Sequence, residues 1–397
     1  MNYDVAVIGG GPAGLMAACT AAQRDRSVII IEKNKILGRK LRITGKGRCN
    51  ITNLCETREL IENVPTNPSF LYSAFNKFTN YDTVDFFNQL GVVTKVERGM
   101  RVFPESDNAN EIAGALVNHV KKRGVKICTD TVIKIFNKTI FLANEGTIEA
   151  KSIIIATGGA SYPGTGSTGD GYNFAKQFGH TVTKITPSLV PLVTREKWTH
   201  DLAGLSLKNV EIRINSYHDF GEMLFTHFGL SGPIILSASS HIRDFKNREY
   251  LLYVDLKPAL STEDLDKRLQ RDFDKYANKI FSNSLNDLLP RKIIDVIVNL
   301  SGIPSDIKVH QISRGQRQSL VALLKNLPIT IIGTRPICEA IITSGGISTS
   351  EINPSTMESK KIPGLYFAGE VIDVDAYTGG FNLQIAFSTG YLAGLKA

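Results

Sequence analysis

An apolar run, Val5 to Ile8, enters Gly9-Gly10-Gly11-Pro12-Ala13-Gly14, and a second apolar run, Val28 to Ile31, ends on Glu32. Strand, glycine turn, proline-led helix and acid-tipped strand stand in the order that a dinucleotide-binding fingerprint requires. The chain must therefore open as a parallel β-α-β unit. Gly9 permits the tight turn, Gly11 lets the backbone approach a pyrophosphate, and Gly14 lets the helix from Pro12 pack on the first strand. Free N–H groups and the dipole at the helix N-terminus favour the anion. Glu32, about 20 residues beyond the glycines, is placed to accept hydrogen bonds from adenosine ribose hydroxyls. Its charge also opposes a 2′-phosphate, so NADP is disfavoured at this site.

With 397 residues the chain can hold two or three domains, and 42% hydrophobic with 21% charged residues is ordinary globular composition. No apolar stretch approaches the ~18 to 20 residues needed to span a bilayer, and no basic leader precedes Val5. The expectation is a cytoplasmic protein without membrane contact. Cys19, Cys49, Cys55, Cys128 and Cys338 are scattered, odd in number and free of any C-x-x-C pair, which excludes a disulfide framework and a zinc site. The formal charge of +8 is spread along the chain instead of gathered in one patch, so a small-molecule substrate is expected in preference to nucleic acid.

Beyond Glu32, residues 33–53 (KNKILGRKLRITGKGRCNITN) form a cationic, glycine-rich loop placed to wrap cofactor phosphates, with Lys33, Arg39, Lys40 and Asn50 as candidate contacts. The spacing of Phe70, Leu71, Phe75, Phe78, Phe86, Phe87 and Leu90 predicts a helix over 67–91 whose stripe is core. Helix 110–123 and short strands at 125–128 and 132–136 follow. Ile153-Ile154-Ile155-Ala156 is a buried parallel strand running into Thr157-Gly158-Gly159, again at a cofactor-facing position. Gly164-Thr165-Gly166-Ser167-Thr168-Gly169 matches the fingerprint letters, but it stands apart from its strand and no acid-tipped strand follows; it does not found a second nucleotide domain.

From about Pro191 the pattern changes to short strands at 210–214, 234–237 and 251–255. Residues 261–299 are mostly helical with an interruption near Pro290; Ser261 is the N-cap, Asp264 stands at the capping-box position, and Leu265, Leu269, Phe273 and Tyr276 make the apolar face. Strand character returns at 329–332 and 340–343. A final apolar strand, Leu365 to Ala368, meets Gly369-Glu370, and Thr378-Gly379-Gly380 opens a closing helix from about Asn382. The resulting organisation is an α/β cofactor domain from 1–190 and 346–397, a strand-rich insertion from 191–258 and 326–345, and a helical domain from 259–325.

The late strand selects the cofactor. A nicotinamide-only enzyme has no need of it, whereas in flavoproteins such a strand ends beside FAD, and the helix begun by Asn382, Leu383 and Gln384 offers its positive end to the flavin. The strings GRKLRITGKGRCNITN, ATGGASYPGTGSTGDGY, THFGLSGP and GLYFAGEVIDVDAYTGGFNLQIAFSTG resemble the bacterial flavoprotein family that includes aminoacetone oxidase and the NAD(P)/FAD-dependent reductases of bile-acid and resazurin type. The resemblance covers nearly the whole chain. It implies a glutathione-reductase-like FAD domain, a Rossmann-type parallel sheet, with an inserted β-barrel-like domain and a small helical domain. It also implies that Ala13, Glu32, Arg39, Lys40, Val132, Glu370, Asn382 and Leu383 touch FAD.

No side chain is assigned to catalysis. Cys49 and Cys55 have the wrong spacing for a flavin-linked dithiol, so Cys49 is read as a packing residue. His227 is a candidate proton donor or a structural side chain, and Arg98 and Arg101 are a candidate carboxylate clamp or surface charges. Without a second nucleotide domain, NAD(P)H would visit the flavin transiently. Three functions stay open: an FAD-dependent oxidoreductase moving a hydride from NAD(P)H to a small organic acceptor, an oxygen-dependent amine or amino-ketone oxidase, and an RNA-directed flavoprotein.

Overall fold

The computed structural model describes residues 1–144, 146–246 and 248–397. Two compact units are present, Met1–Ser188 with Pro336–Ala397, and Leu189–Arg335. The second unit ends ten residues before the strand-rich insertion drawn from sequence, because Ile342–Ser344 pairs antiparallel with Thr186–Ser188 inside the first.

In the first unit, strands Lys126–Thr129, Val28–Glu32, Asn2–Ile8 and Thr147–Ile155 lie side by side and parallel. The long strand Thr147–Ile155 serves two further neighbours. Its start pairs antiparallel with Thr139–Leu142, which carries Val132–Phe136, and its end pairs parallel with Leu365–Phe367. The strand read at 153–156 thus begins six residues earlier. Near-continuous Val and Ile runs suit strands covered on both faces.

The first helix, Pro12–Ala22, buries nine of its eleven residues, and Pro12 opens it where a missing N–H costs nothing. Gly14 presses on the turn, for a Cβ there would stand 1.9 Å from Gly9 O. On the other side runs the closing helix, Phe381–Lys396. A Cβ at Gly390 would lie 2.4 Å from Ala13 O, and one at Gly394 would lie 2.2 Å from Ala17 O. Glycines four apart line one helix face, so the two ends of the chain meet backbone to backbone.

Three sequence expectations are corrected. Segment 67–91 is a 3-10 turn, Pro68–Leu71, followed by helices Tyr72–Lys77 and Asn80–Gln89. Thr79 is extended and forms a reciprocal capping box with Asp82, which starts a new helix in the middle of the apolar stripe. Residues 234–237 belong to a helix, Pro233–Ser239, because Gly232 at φ 98° followed by Pro233 at N1 launches a helix. The loop 33–53 contains a short helix, Arg39–Ile43, and a strand, Thr52–Asn53.

The second unit is a closed six-stranded barrel. Leu192–Thr194, Gly229–Ser231, Tyr217–Thr226, Ser206–Ile214, Tyr250–Asp255 and Leu327–Thr334 pair in that circular order. Helices Thr262–Lys275, Arg291–Ser301 and Arg314–Lys325 share the barrel's hydrophobic cluster through Leu269, Ile297 and Leu320. Ser261 Oγ accepts the Asp264 N–H at 3.0 Å, as an N-cap does. Among the described residues no helix is long and apolar enough to cross a membrane.

Two glycines should respond oppositely. Gly390→Val forces backbones apart and is expected to lower unfolding free energy by about 1–3 kcal/mol or more. Gly114→Ala, in helix Ala109–Lys122 with open space around its Cβ position, is expected to add roughly 0.5–1 kcal/mol. Urea titrations of both against wild type measure the two signs.

Candidate functional site

The carboxyl ends of the parallel strands deliver three turns to one place: Gly9-Gly10-Gly11 after Ile8, Thr157-Gly158 after Ile155, and Gly369-Glu370 after Phe367. An open α/β sheet binds ligands in this crevice. It encloses about 1050 Å³ of empty space, its mouth included. Of the residues expected from sequence, Gly9, Gly11, Pro12, Ala13, Glu32, Arg39, Lys40, Thr157, Gly158, Gly369, Glu370, Asn382 and Leu383 line it. Lys33 and Val132 line a smaller adjoining hollow that shares Gly9, Glu32, Thr157 and Gly166 with the first. Gly14 does not line either cavity, consistent with a packing role, and Asn50 stands outside both, its Oδ1 buried without a partner among the described residues.

Glu32 shapes the turn before it meets any ligand. Its Oε2 accepts the Gly10 N–H at 2.7 Å, while Oε1 accepts the Asn34 backbone and side-chain N–H groups at 2.9 and 2.7 Å. Glu370 is similarly engaged: Oε1 accepts Ser161 Oγ–H at 3.0 Å and the Thr343 N–H at 2.9 Å, and Oε2 accepts Lys40 Nζ at 2.7 Å. A carboxylate offers about four lone-pair sites. Each acid therefore keeps one acceptor position for a further hydroxyl, as two sugar-like chains of a dinucleotide require.

Lys40 also donates to Ser161 Oγ at 2.8 Å, and Lys33 is held by Asp170 and Thr168. Arg39 donates to Asn34 Oδ1 at 3.0 Å. The Asn382 side chain is spent on the turn before its helix, binding Ala376 N and O, so it braces the cleft wall instead of reaching inward. Gln384 is fully buried and receives the hydroxyls of Thr52 and Thr83.

FAD fits these residues on three observations. A Cβ at Gly11 would point into open space, the room that a pyrophosphate needs beside a helix N-terminus. Glu32 and Glu370, both at the cleft, each keep one acceptor position for a sugar hydroxyl. The N-terminal turn of the closing helix, through Asn382 and Leu383, forms another wall, and positive helix ends favour negative charge on a ring.

Several lining residues went unread in the sequence. Thr165, Gly166 and Ser167, from the dismissed second fingerprint, form part of the same cleft, and Asn34 bridges to them by donating to Thr165 O at 3.3 Å. Their glycine pattern was the available signal. Ile341, Ile342 and Val374 line the cleft as well and carry no local signal at all. Burial pushes the Cys49 thiol up to about 12 and the Cys55 thiol up to about 11, which makes both poor thiolates for flavin exchange. In the second unit His227 is exposed and packs edge-on to Phe228.

The chain matches the HI0933-like protein Rossmann domain family over residues 3–396. It is 31% identical to the 3-dehydro-bile acid delta(4,6)-reductase of Clostridium scindens, covering 99% of this chain and 98% of the relative. It is 33% identical to the ribosomal RNA dihydrouridine synthase of Escherichia coli, covering 98% and 96%. Among solved structures, the fold is shared with a 3-ketosteroid delta1-dehydrogenase of Sterolibacterium denitrificans at TM-score 0.51, 12% identity and 99% and 98% coverage.

A glycine pair tests the cleft. Gly11→Val should fold, with an apoprotein melting temperature near wild type, yet purify without yellow colour because its side chain fills the pyrophosphate space. Gly14→Val, clashing with Gly9 O, should fail to fold. A fully flavinated Gly11→Val protein would overturn the assignment. With the family matched from residue 3 to 396 and the cleft suited to the flavin dinucleotide, the chain belongs to the HI0933-like family and is an FAD-dependent oxidoreductase.

Proposed function

We propose that the protein is a reductase that adds a hydride and a proton across a carbon–carbon double bond conjugated to a carbonyl, using NAD(P)H as the electron donor. One observation carries this reading: two relatives aligned over nearly the whole chain have names that share that chemistry. A 3-dehydro-delta(4,6) ring system is a dienone, and uridine becomes dihydrouridine by saturation of the C5–C6 bond, which is conjugated to the C4 carbonyl. The balance is the same for both: NAD(P)H and a proton are consumed, NAD(P)+ and the saturated product are formed.

Bound FAD supplies two-electron hydride transfer between donor and acceptor. The chain's own groups supply position and polarity. Ile341, Ile342, Val374 and Leu383 give the cleft apolar surface suited to flat rings, and a dry site strengthens every charge inside it. Lys40, fixed between Ser161 and Glu370, holds a cation at the cleft wall. The closing helix adds its positive end. Because one cleft serves all participants, donor and acceptor are read as visiting it in turn.

Anaerobic stopped-flow separates the alternatives. NADH or NADPH is expected to bleach the flavin band within seconds, and a 4,6-dien-3-one steroid or a uridine-containing RNA is expected to restore it under nitrogen. Whichever acceptor restores the band names the substrate class. Bleaching by an amine alone, with peroxide formed in air, would replace this reading with an oxidase.

A further inference from the structure

The antiparallel hairpin Thr94–Glu97 and Arg101–Pro104 turns through Arg98, Gly99 and Met100. Met100 sits at φ 57°, a left-handed conformation unusual for a side chain of its size, and is 47% exposed. The buried amide of Asn53 fixes this tip by donating to Gly99 O at 2.9 Å and to Gly379 O at 3.2 Å. Gly379 lies in the turn that opens the closing helix, whose Asn382 and Leu383 line the cleft. One side chain thus ties the hairpin tip to the cleft wall.

The charges at the tip are unbalanced in one direction. Glu97 and Asp107, the acids of this sheet face, are both taken by Arg48, and Asp107 by Lys95 too. Arg98 is exposed, and among the described residues its side chain forms no hydrogen bond or ion pair. Arg101 uses only Nε, on Arg98 O at 3.0 Å, and its guanidinium lies 5.7 Å from the centre of the Phe103 ring. Lys46 is exposed on the adjoining loop, where a Cβ at Gly45 would lie 3.5 Å from Phe103 Cε1, and its backbone is held at φ 59°. Arg101 opens its strand opposite Glu97, an acid already bonded to Arg48, so Lys46, Arg98 and Arg101 leave an excess of positive charge around exposed Met100.

We infer that Lys46, Arg98 and Arg101 form a docking site for the phosphodiester backbone of an RNA acceptor whose target base enters the adjoining cleft. Repeating phosphates match cations spread over two loops, and apolar Met100 suits the sugar or base between them. A base reduced in an enclosed cleft must leave its stack, so phosphate contacts outside the cleft have to hold the strand while it does. The inference rests on the uracil arm of the proposed function.

The test uses FAD-loaded protein and a 20-nucleotide, fluorescein-labelled, uridine-rich single-stranded RNA, with anisotropy read between 50 and 200 mM salt. Arg98→Ala/Arg101→Ala is expected to weaken binding about tenfold or more at 50 mM and to flatten the log–log salt slope by about 1.4, roughly 0.7 per lost phosphate contact. Arg98→Ala alone, at an exposed turn position, should give half that change and serves if the double variant loses flavin. Lys126→Ala, an exposed lysine on the edge strand, should leave the slope unaltered. Wild-type binding with unchanged variants, or an equal loss in Lys126→Ala, overturns the docking site and leaves the reductase reading standing. No RNA binding by wild type overturns the docking site together with the uracil arm.

Discussion

The backbone contact between the first and the closing helix is the constraint on which the rest depends. Gly390 and Gly394 lie against Ala13 and Ala17 with no room for a side chain, and a Cβ at Gly369 would stand 2.7 Å from that of Ala13. This contact brings the glycine turn of residues 9–14 beside the Gly369-Glu370 turn, though some 355 positions separate them. Any larger residue on this seam would open the cleft between them. The neighbouring carboxylates, Glu32 and Glu370, are then locked by backbone N–H groups and lysine before a ligand arrives, so little ordering cost remains for binding.

The parts legible in the sequence are those whose chemistry is local. The glycine fingerprint, the acid at the tip of Val28–Glu32 and the Ser261 cap declare themselves within a few residues, because a turn, a phosphate or a helix end each imposes its own residue types. Segment 67–91 failed for the same physical reason. Its apolar stripe is continuous, and Thr79 with Asp82, three residues apart, was the local sign of a new helix start inside it. Ile234 to Ser237 was too short for periodicity to separate strand from helix, and Gly232-Pro233 held the deciding information.

Tertiary approach is what sequence pattern does not carry. Ile341, Ile342 and Val374 reach the cleft only because Ile342–Ser344 pairs with Thr186–Ser188 and the turn after Glu370 folds beside it. The Gly164–Gly169 loop was correctly denied a domain of its own, yet Asn34 draws Thr165 to Ser167 into the cleft built by the first fingerprint. A weak motif in the wrong context can still belong to the right site.

The seam between the chain's two ends also sets a timetable. During synthesis the fingerprint of residues 9–14 emerges first, whereas the strand, turn and helix that complete its cleft span Leu365 to Lys396. At about 5–20 residues per second the ribosome needs tens of seconds to bridge that interval. Throughout it, the apolar first helix has no partner for the face that Gly390 and Gly394 later cover. The cleft therefore cannot be complete until residues 365–396 have been made.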